Sequence, residues 1–310
     1  MGPQRHALPP ATPGAAPRWH FQHGPIDLVI GAEGEAAALQ DAHADAWAVF
    51  DGLLAALVAE LPLLRTPVAP GGPNPLRGPV ARRMWAVCAP LARPAAGWPG
   101  TFLTPMAAVA GAVAEHVVAA YRRPGIARAW VNNGGDIALH LAPGQRVQVG
   151  LVADIAALDA AAWSRTVLGR GAPDGRFLVQ ADDPVRGIAT SGWRGRSCSL
   201  GVADSVTVLA ASAPEADAAA TLVANAVNLP HPGIVRRPAA ELHDDSDLGE
   251  IPVTVAVPAF TPAERQQALD AGLAVARQLQ ARGLLQAVVL ACQGSLATLG
   301  PCAALQSAAA

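Results

Sequence analysis

The sequence predicts an α+β protein, with mixed or antiparallel sheets packed against helices, and three observations carry that reading. Short β-branched runs and capped, alanine-rich segments are interspersed along 310 residues without forming regular βαβ units. Asn133-Gly134-Gly135 separates two strand-like runs, the signature of a tight hairpin turn and so of antiparallel pairing. At 52% hydrophobic and 15% charged residues, the chain carries apolar material for one substantial core or two modest ones. That composition excludes a disordered or fibrous chain.

Strands are expected at residues 19–22, 27–30, 129–131, 137–141, 147–152, 177–180, 206–209, 253–257 and 288–290, each a short β-branched or alternating run. Helices announce themselves by their starts. Thr104-Pro105 opens an apolar helix reaching about residue 121. Ser212-Ala213-Pro214-Glu215 and Thr261-Pro262-Ala263-Glu264 each place a hydroxyl, an early proline and a glutamate in capping-box order, ahead of helices to about residues 227 and 282. Residues 1–16 read as a flexible Pro- and Ala-rich arm, 17–300 as one domain with a Pro/Gly-rich loop at 65–80, and 301–310 as an alanine-rich tail.

Charge and composition narrow the function. The formal net charge of −2 offers no basic field to gather phosphate backbones, so nucleic acid is not expected as a partner. The chain has no lysine, which removes Schiff-base chemistry and the P-loop ammonium and leaves all fixed cationic work to arginine. Cys88, Cys198, Cys292 and Cys302 are widely spaced, which argues against a zinc knuckle or disulfide framework and suits a reduced, cytoplasmic setting. Residues 104–121 are short for a bilayer crossing and interrupted by Glu115 and His116, so no membrane span is expected, and no apolar signal region stands in the first 20 residues. Homo-oligomerisation is left open. There is no H-E-x-x-H or G-x-S-x-G, and the dinucleotide fingerprint fails because Asp174 follows Gly169 and Gly171 where a third glycine belongs.

Three polar segments remain for chemistry. In Asn132-Asn133-Gly134-Gly135-Asp136 the glycines let a ligand approach exposed amides with Asp136 beside it, although an ordinary hairpin turn has the same composition. Thr190-Ser191-Gly192-Trp193-Arg194-Gly195-Arg196-Ser197-Cys198-Ser199 offers hydroxyls and guanidinium groups to phosphate and Trp193 to a planar ring; a solvated turn is the alternative, and Cys198 reads as nucleophile or as inert thiol. Asp217, Thr221 and Asn225 recur every four residues and share one helix face, where carboxylate and hydroxyl suit a hard cation such as Mg2+ or simply face solvent. His231 and His243-Asp244-Asp245 read as loop residues, Trp47, Trp85 and Trp130 as core, and Gly294-Ser295 as a strand-ending turn.

The order of these blocks resembles the ApbE-like proteins. Residues 104–115, Val131-Asn132-Asn133-Gly134-Gly135-Asp136, Thr190-Ser191-Gly192, Asp204-Ser205-Val206-Thr207-Val208-Leu209-Ala210 and Glu215-Ala216-Asp217-Ala218-Ala219-Ala220-Thr221 carry the likeness, which covers roughly residues 100–230. The resemblance implies a T-fold-related fold and an FAD:protein FMN transferase, which cleaves FAD with Mg2+ and attaches FMN to a Thr or Ser of an acceptor flavoprotein. It assigns Asp217 and Thr221 to the metal, and Asn133, Gly134, Gly135, Asp136, Thr190, Ser191 and Gly192 to the FAD or FMN. Two departures mark a divergent branch: the family's histidine stretch reads Arg196-Ser197-Cys198-Ser199-Leu200-Gly201, and its Lys-Gly pair reads Ala110-Gly111. Asp136, Asp204 and Cys198 are the candidate bases. A non-catalytic module that binds or delivers flavin, and a flavin-using oxidoreductase accessory protein, stand as alternatives.

Overall fold

The computed structural model describes residues 2–8, 17–94, 100–151, 175–195, 198–242 and 246–301. Gly169, Gly171, Asp174, Arg196, Ser197, His243-Asp244-Asp245, Cys302 and most of the two terminal segments lie outside the described residues.

Nine strands form one sheet in the order β1 (Gln4–Leu8), β2 (Arg18–His23), β3 (Ile26–Gly34), β4 (Ile126–Asn133), β5 (Asp136–Leu141), β8 (Gly187–Ser191), β9 (Ser205–Ala210), β12 (Ala287–Cys292) and β13 (Ser295–Leu299). Every neighbouring pair in it is antiparallel, as the Asn133-Gly134-Gly135 turn foretold. Two smaller antiparallel pairs join β6 (Arg146–Leu151) to β7 (Gly175–Gln180) and β10 (Val235–Pro238) to β11 (Pro252–Ala256). The fold class is α+β. All nine expected strands are present; β1, β8, β10 and β13 were not anticipated. Gln4–Leu8, inside the stretch read as a flexible arm, pairs with β2 from Gln4↔Gln22 to Leu8↔Arg18, because backbone groups along an open sheet edge accept any extended segment.

The helices are α1 (Ala36–Asp51), α2 (Leu53–Ala59), α3 (Leu61–Leu64), α4 (Pro79–Ala92), α5 (Val109–Val118), α6 (Ala213–Ala226), α7 (Ala239–Leu242) and α8 (Pro262–Ala281). On one face of the sheet α5, α6 and α8 bury Val113, Val117, Leu222, Val223, Leu269 and Leu279 in the main core, with Phe21, Phe50 and Tyr121 at the β2–β3 end. On the other face Leu139, Ile188, Leu209 and Val289 pack with Phe177 and Val179 of β7 in a second, smaller core. Buried on both faces, β9 and β12 are occluded at every position, which explains the continuous apolar run of β12.

Helix starts differ in how they are built. Thr261 and Glu264 form the expected reciprocal capping box at α8. At α6 the Ser212 hydroxyl does not cap; it accepts a 2.8 Å hydrogen bond from Arg83 instead. The segment after Thr104 begins as a 3-10 turn (Pro105–Ala108), and the Thr104 hydroxyl donates to Asp247. In both places a long-range partner outcompetes the local cap. The Pro/Gly-rich loop is organised by Glu60, whose carboxylate accepts the amides of Arg77 and Gly78, each at 2.7 Å. Ala36–Ala59, α1 continued by α2, is long and apolar enough by length and composition to cross a membrane. Here Ala42, Ala46, Phe50, Leu53 and Leu57 form its buried stripe while Asp41, Asp45 and Asp51 are exposed, the pattern of an amphipathic core helix.

Candidate functional site

The β4–β5 turn, the end of β8, the start of β9 and the β12–β13 turn lie along one end of the large sheet, and α6 passes over it. Gly134 and Gly135 adopt φ values of 65° and 119°, a left-handed pair that side chains rarely tolerate. Asn132 Oδ1 accepts the Gly135 amide at 2.8 Å, and Asn133 Nδ2 donates to the Ala110 carbonyl at 3.1 Å, which ties the turn to the start of α5. Asp136 Oδ1 accepts the Thr190 amide at 3.1 Å, and the hydroxyls of Thr190 and Thr207 are 2.9 Å apart. Two of the three expected segments therefore meet directly, with Ser191 and Gly192 continuing from Thr190. Gly192 is required by packing: a Cβ there would press on the backbone of Asp204 and Ala203.

Helix α6 shows why its polar stripe exists. Ala216, Ala218, Ala219, Ala220, Leu222, Val223 and Ala224 are buried, whereas Asp217, Thr221 and Asn225 keep partial access along one line. Asp217 Oδ2 accepts the Gly111 amide at 2.9 Å, and the Ala110 amide also donates to this carboxylate. Burial pushes the Asp217 carboxyl well above the usual range and the negative charge of Asp136 adds to the push, while the Gly111 and Ala110 amides oppose it. Although its surface is partly accessible, protein crowds the carboxylate closely, and that crowding governs its proton affinity. Asn225, one turn beyond Thr221, is structural: its Oδ1 accepts from Ser199 Oγ at 3.0 Å and from the Leu200 amide at 2.9 Å.

The other candidates are differently engaged. Asp204 Oδ2 accepts the Gln293 amide, and the carboxylate sits near Cys292, whose thiol is pushed up to about 11 by burial first and Asp204 second, against Arg265. Gln293 has a left-handed φ of 46° ahead of Gly294 at 79°; its side chain bonds the Phe260 amide at 2.8 Å and the Pro258 carbonyl at 2.6 Å, and its carbonyl accepts from Arg265 at 3.2 Å. Cys198 has its thiol raised by burial first and then by Asp247, with its own backbone opposing, which suppresses the thiolate a nucleophile requires. Trp193 is covered by its neighbour Arg194, whose guanidinium carbon lies 4.8 Å from the ring centroid. Sequence reasoning passed over the Gly111 amide and Asp247, because their partners lie 106 and 143 residues away.

Among the described residues no three His, Cys, Asp or Glu side chains cluster as a closed metal cage. The oxygen set of Asp217 and Thr221, with Asp136 close enough to act on Asp217, fits a hard divalent cation that completes its shell with water or phosphate. Two crowded carboxylates whose charges oppose one another are also relieved by such an ion.

The glycine turn, the end of β8 and the carboxylate-bearing helix thus converge at one end of an antiparallel sheet. The chain matches the family model described as AbpE bacteria over residues 7–298, and it belongs to that family. It is similar to a UPF0280 protein of Methanothermobacter thermautotrophicus, 40% identical over 127 residues, covering 41% of this chain and 43% of that protein. A UPF0280 protein of Methanosphaerula palustris is 37% identical over 136 residues, covering 44% and 50% respectively. The chain thus spans about half the length, or less, of these curated relatives. Among solved structures, the Pseudomonas stutzeri flavinyl transferase ApbE in its apo form aligns over 98% of this chain and 95% of its own, with a TM-score of 0.36 and 12% identity. At that score the alignment supports no residue correspondence.

Proposed function

We propose that the site at Asp217 and Thr221 on α6 binds a flavin nucleotide together with Mg2+ and supports FAD cleavage with FMN transfer to a Thr or Ser hydroxyl of an acceptor flavoprotein. The observation that carries this reading is the Asp217 carboxylate, held by the Gly111 and Ala110 amides and facing the charge of Asp136. Asp217 and Thr221 would hold the metal, which when bound neutralises the pyrophosphate oxygens. Gly134, Gly135, Thr190, Ser191 and Gly192 would then lie against the nucleotide, with Asn133 keeping the glycine turn fixed to α5. In the reaction the acceptor oxygen forms a bond to the FMN-side phosphorus, the phosphoanhydride bond breaks, and AMP leaves with the electron pair. Asp136 is the candidate to take the hydroxyl proton, since Asp204 is committed to the Gln293 turn and Cys198 is held as a thiol.

Those two commitments also favour a second reading, a module that binds or delivers flavin without breaking bonds. The deciding experiment incubates the protein with FAD and Mg2+, with and without a threonine-bearing flavoprotein acceptor, and follows AMP by chromatography. AMP release that stops with EDTA or in Asp217→Ala supports the transferase. Tight FAD binding without AMP supports the binding module, and absence of FAD binding overturns both.

A further inference from the structure

A polar cavity, about 490 Å3 in volume, opens between α4, α5, the first turn of α6 and the ends of β5 and β8. It shares no lining residue with the set around Asp217. Its charged wall consists of Arg83, Arg122, Arg186, Glu115 and Glu215, with His140 among them. Arg83 is neutralised in place: Nε donates to Glu115 at 2.8 Å, and a terminal nitrogen lies 3.8 Å from Glu215. Both lining carboxylates are thereby turned toward the same guanidinium.

Three arginines against two carboxylates leave the lining with a net charge of +1. Arg186 donates to the backbone carbonyls of Asp183 at 2.8 Å and Val185 at 2.6 Å, and to that of Ala181, which fixes its guanidinium and leaves two of its five N–H groups over. It has no carboxylate partner among the described residues. Arg122 is exposed, and its guanidinium forms no hydrogen bond or ion pair among the described residues. The two arginines line the same cavity as His140, whose pKa is lowered by burial first and then by Arg122 and Arg186, against a hydrogen bond to the Ile126 backbone. His140 Nε2 is buried without a partner. The first turn of α6 adds a donor: Ser212 is diverted to Arg83, so it leaves the helix without a side-chain cap, and the amide of Glu215, a lining residue, has no acceptor among the described residues.

We propose that this cavity binds a phosphate group, either free or carried as a monoester, between Arg122, Arg186 and the open first turn of α6. A tetrahedral oxyanion presents oxygens in several directions, so guanidinium groups from two elements and a helix amide from a third can all donate to it. A planar carboxylate is satisfied by one guanidinium fork and leaves the other donors unused.

Calorimetric titration of the full chain at fixed ionic strength and near-neutral pH, with inorganic phosphate, glycerol 3-phosphate and acetate as probes, tests this. The expected result is saturable phosphate binding, tighter than acetate, that weakens about tenfold or more in Arg122→Gln, the scale of one lost charge-assisted contact. Because Arg122 is exposed, its variant should keep the wild-type melting temperature without phosphate. Tighter binding of glycerol 3-phosphate supports a monoester ligand, and tighter inorganic phosphate supports the free ion. Absence of saturable binding, equal binding by Arg122→Gln, or loss of binding in Asp217→Asn overturns the assignment; the last would move the anion to the other site.

Discussion

Gly111→Ala separates two effects of opposite sign at the centre of the molecule. Alanine is the better helix former by about 1 kcal/mol, so propensity alone favours the variant. Packing opposes it: a Cβ at Gly111 would lie 2.7 Å from Pro214 N and 2.5 Å from Ala213 C, and closer still to the Ala213 carbonyl oxygen. These are backbone atoms that cannot swing aside, so α5 and α6 would have to part by about 1 Å to restore ordinary contact. Overpacking of this kind costs about 1–3 kcal/mol. The same separation stretches the hydrogen bond from the Gly111 amide to Asp217, an interaction whose typical contribution is about 0.5–1.5 kcal/mol. The packing and hydrogen-bond losses exceed the propensity gain, and Gly111→Ala should lose about 1–3 kcal/mol of unfolding free energy in urea titration with an unchanged slope. A variant as stable as wild type, or more stable, would show that the helix crossing is not as close as described.

Three further outcomes can be checked on the same protein. Because the folded protein raises the Asp217 pKa, its stabilising protonation is complete below the usual Asp range near pH ~4 and is lost as pH rises through the folded value. The melting temperature should therefore decline over that interval in wild type and stay flatter in Asp217→Asn. Near neutral pH, Mg2+ should raise the wild-type melting temperature and leave Asp217→Asn unmoved; equal shifts in both would remove Asp217 from the metal site. Thr261→Ala breaks the capping box of α8 and should cost about 1 kcal/mol in the same urea titration, with no change in FAD binding.

The strands that could be read from sequence were those whose apolar pattern reports burial, such as Phe177 and Val179 alternating with exposed neighbours in β7. β8 was hidden because Ile188 is its only large apolar residue and Gly187 occurs where the first residues of α6 press on the sheet. Helices α1 and α4 follow Glu35 and Gly78, neither of which caps through a side chain, so the usual start signal is absent. At the site, the four-residue spacing of Asp217 and Thr221 revealed a shared face, but the helix alone could not show whether that face met solvent or protein. What decides it is distant: Gly111 comes from α5, and the loop held by Asn225 arrives from residues 199–200. The same reason explains why Ser212, although it stands where a cap belongs, serves Arg83.

The left-handed glutamine at the β12–β13 turn has a consequence for how this end of the protein opens. Gln293 would sit there at lower cost as glycine, yet its side chain fastens Pro258 and Phe260 while its amide fastens Asp204. The lead-in to α8 and the hairpin end beneath it are thus joined by one residue and should fluctuate as one cooperative unit, with the Phe260 and Gln293 amides exchanging deuterium at matching rates. Gln293→Gly would relax the backbone and cut that link, so the Phe260 amide would exchange early while the hairpin amides kept their protection.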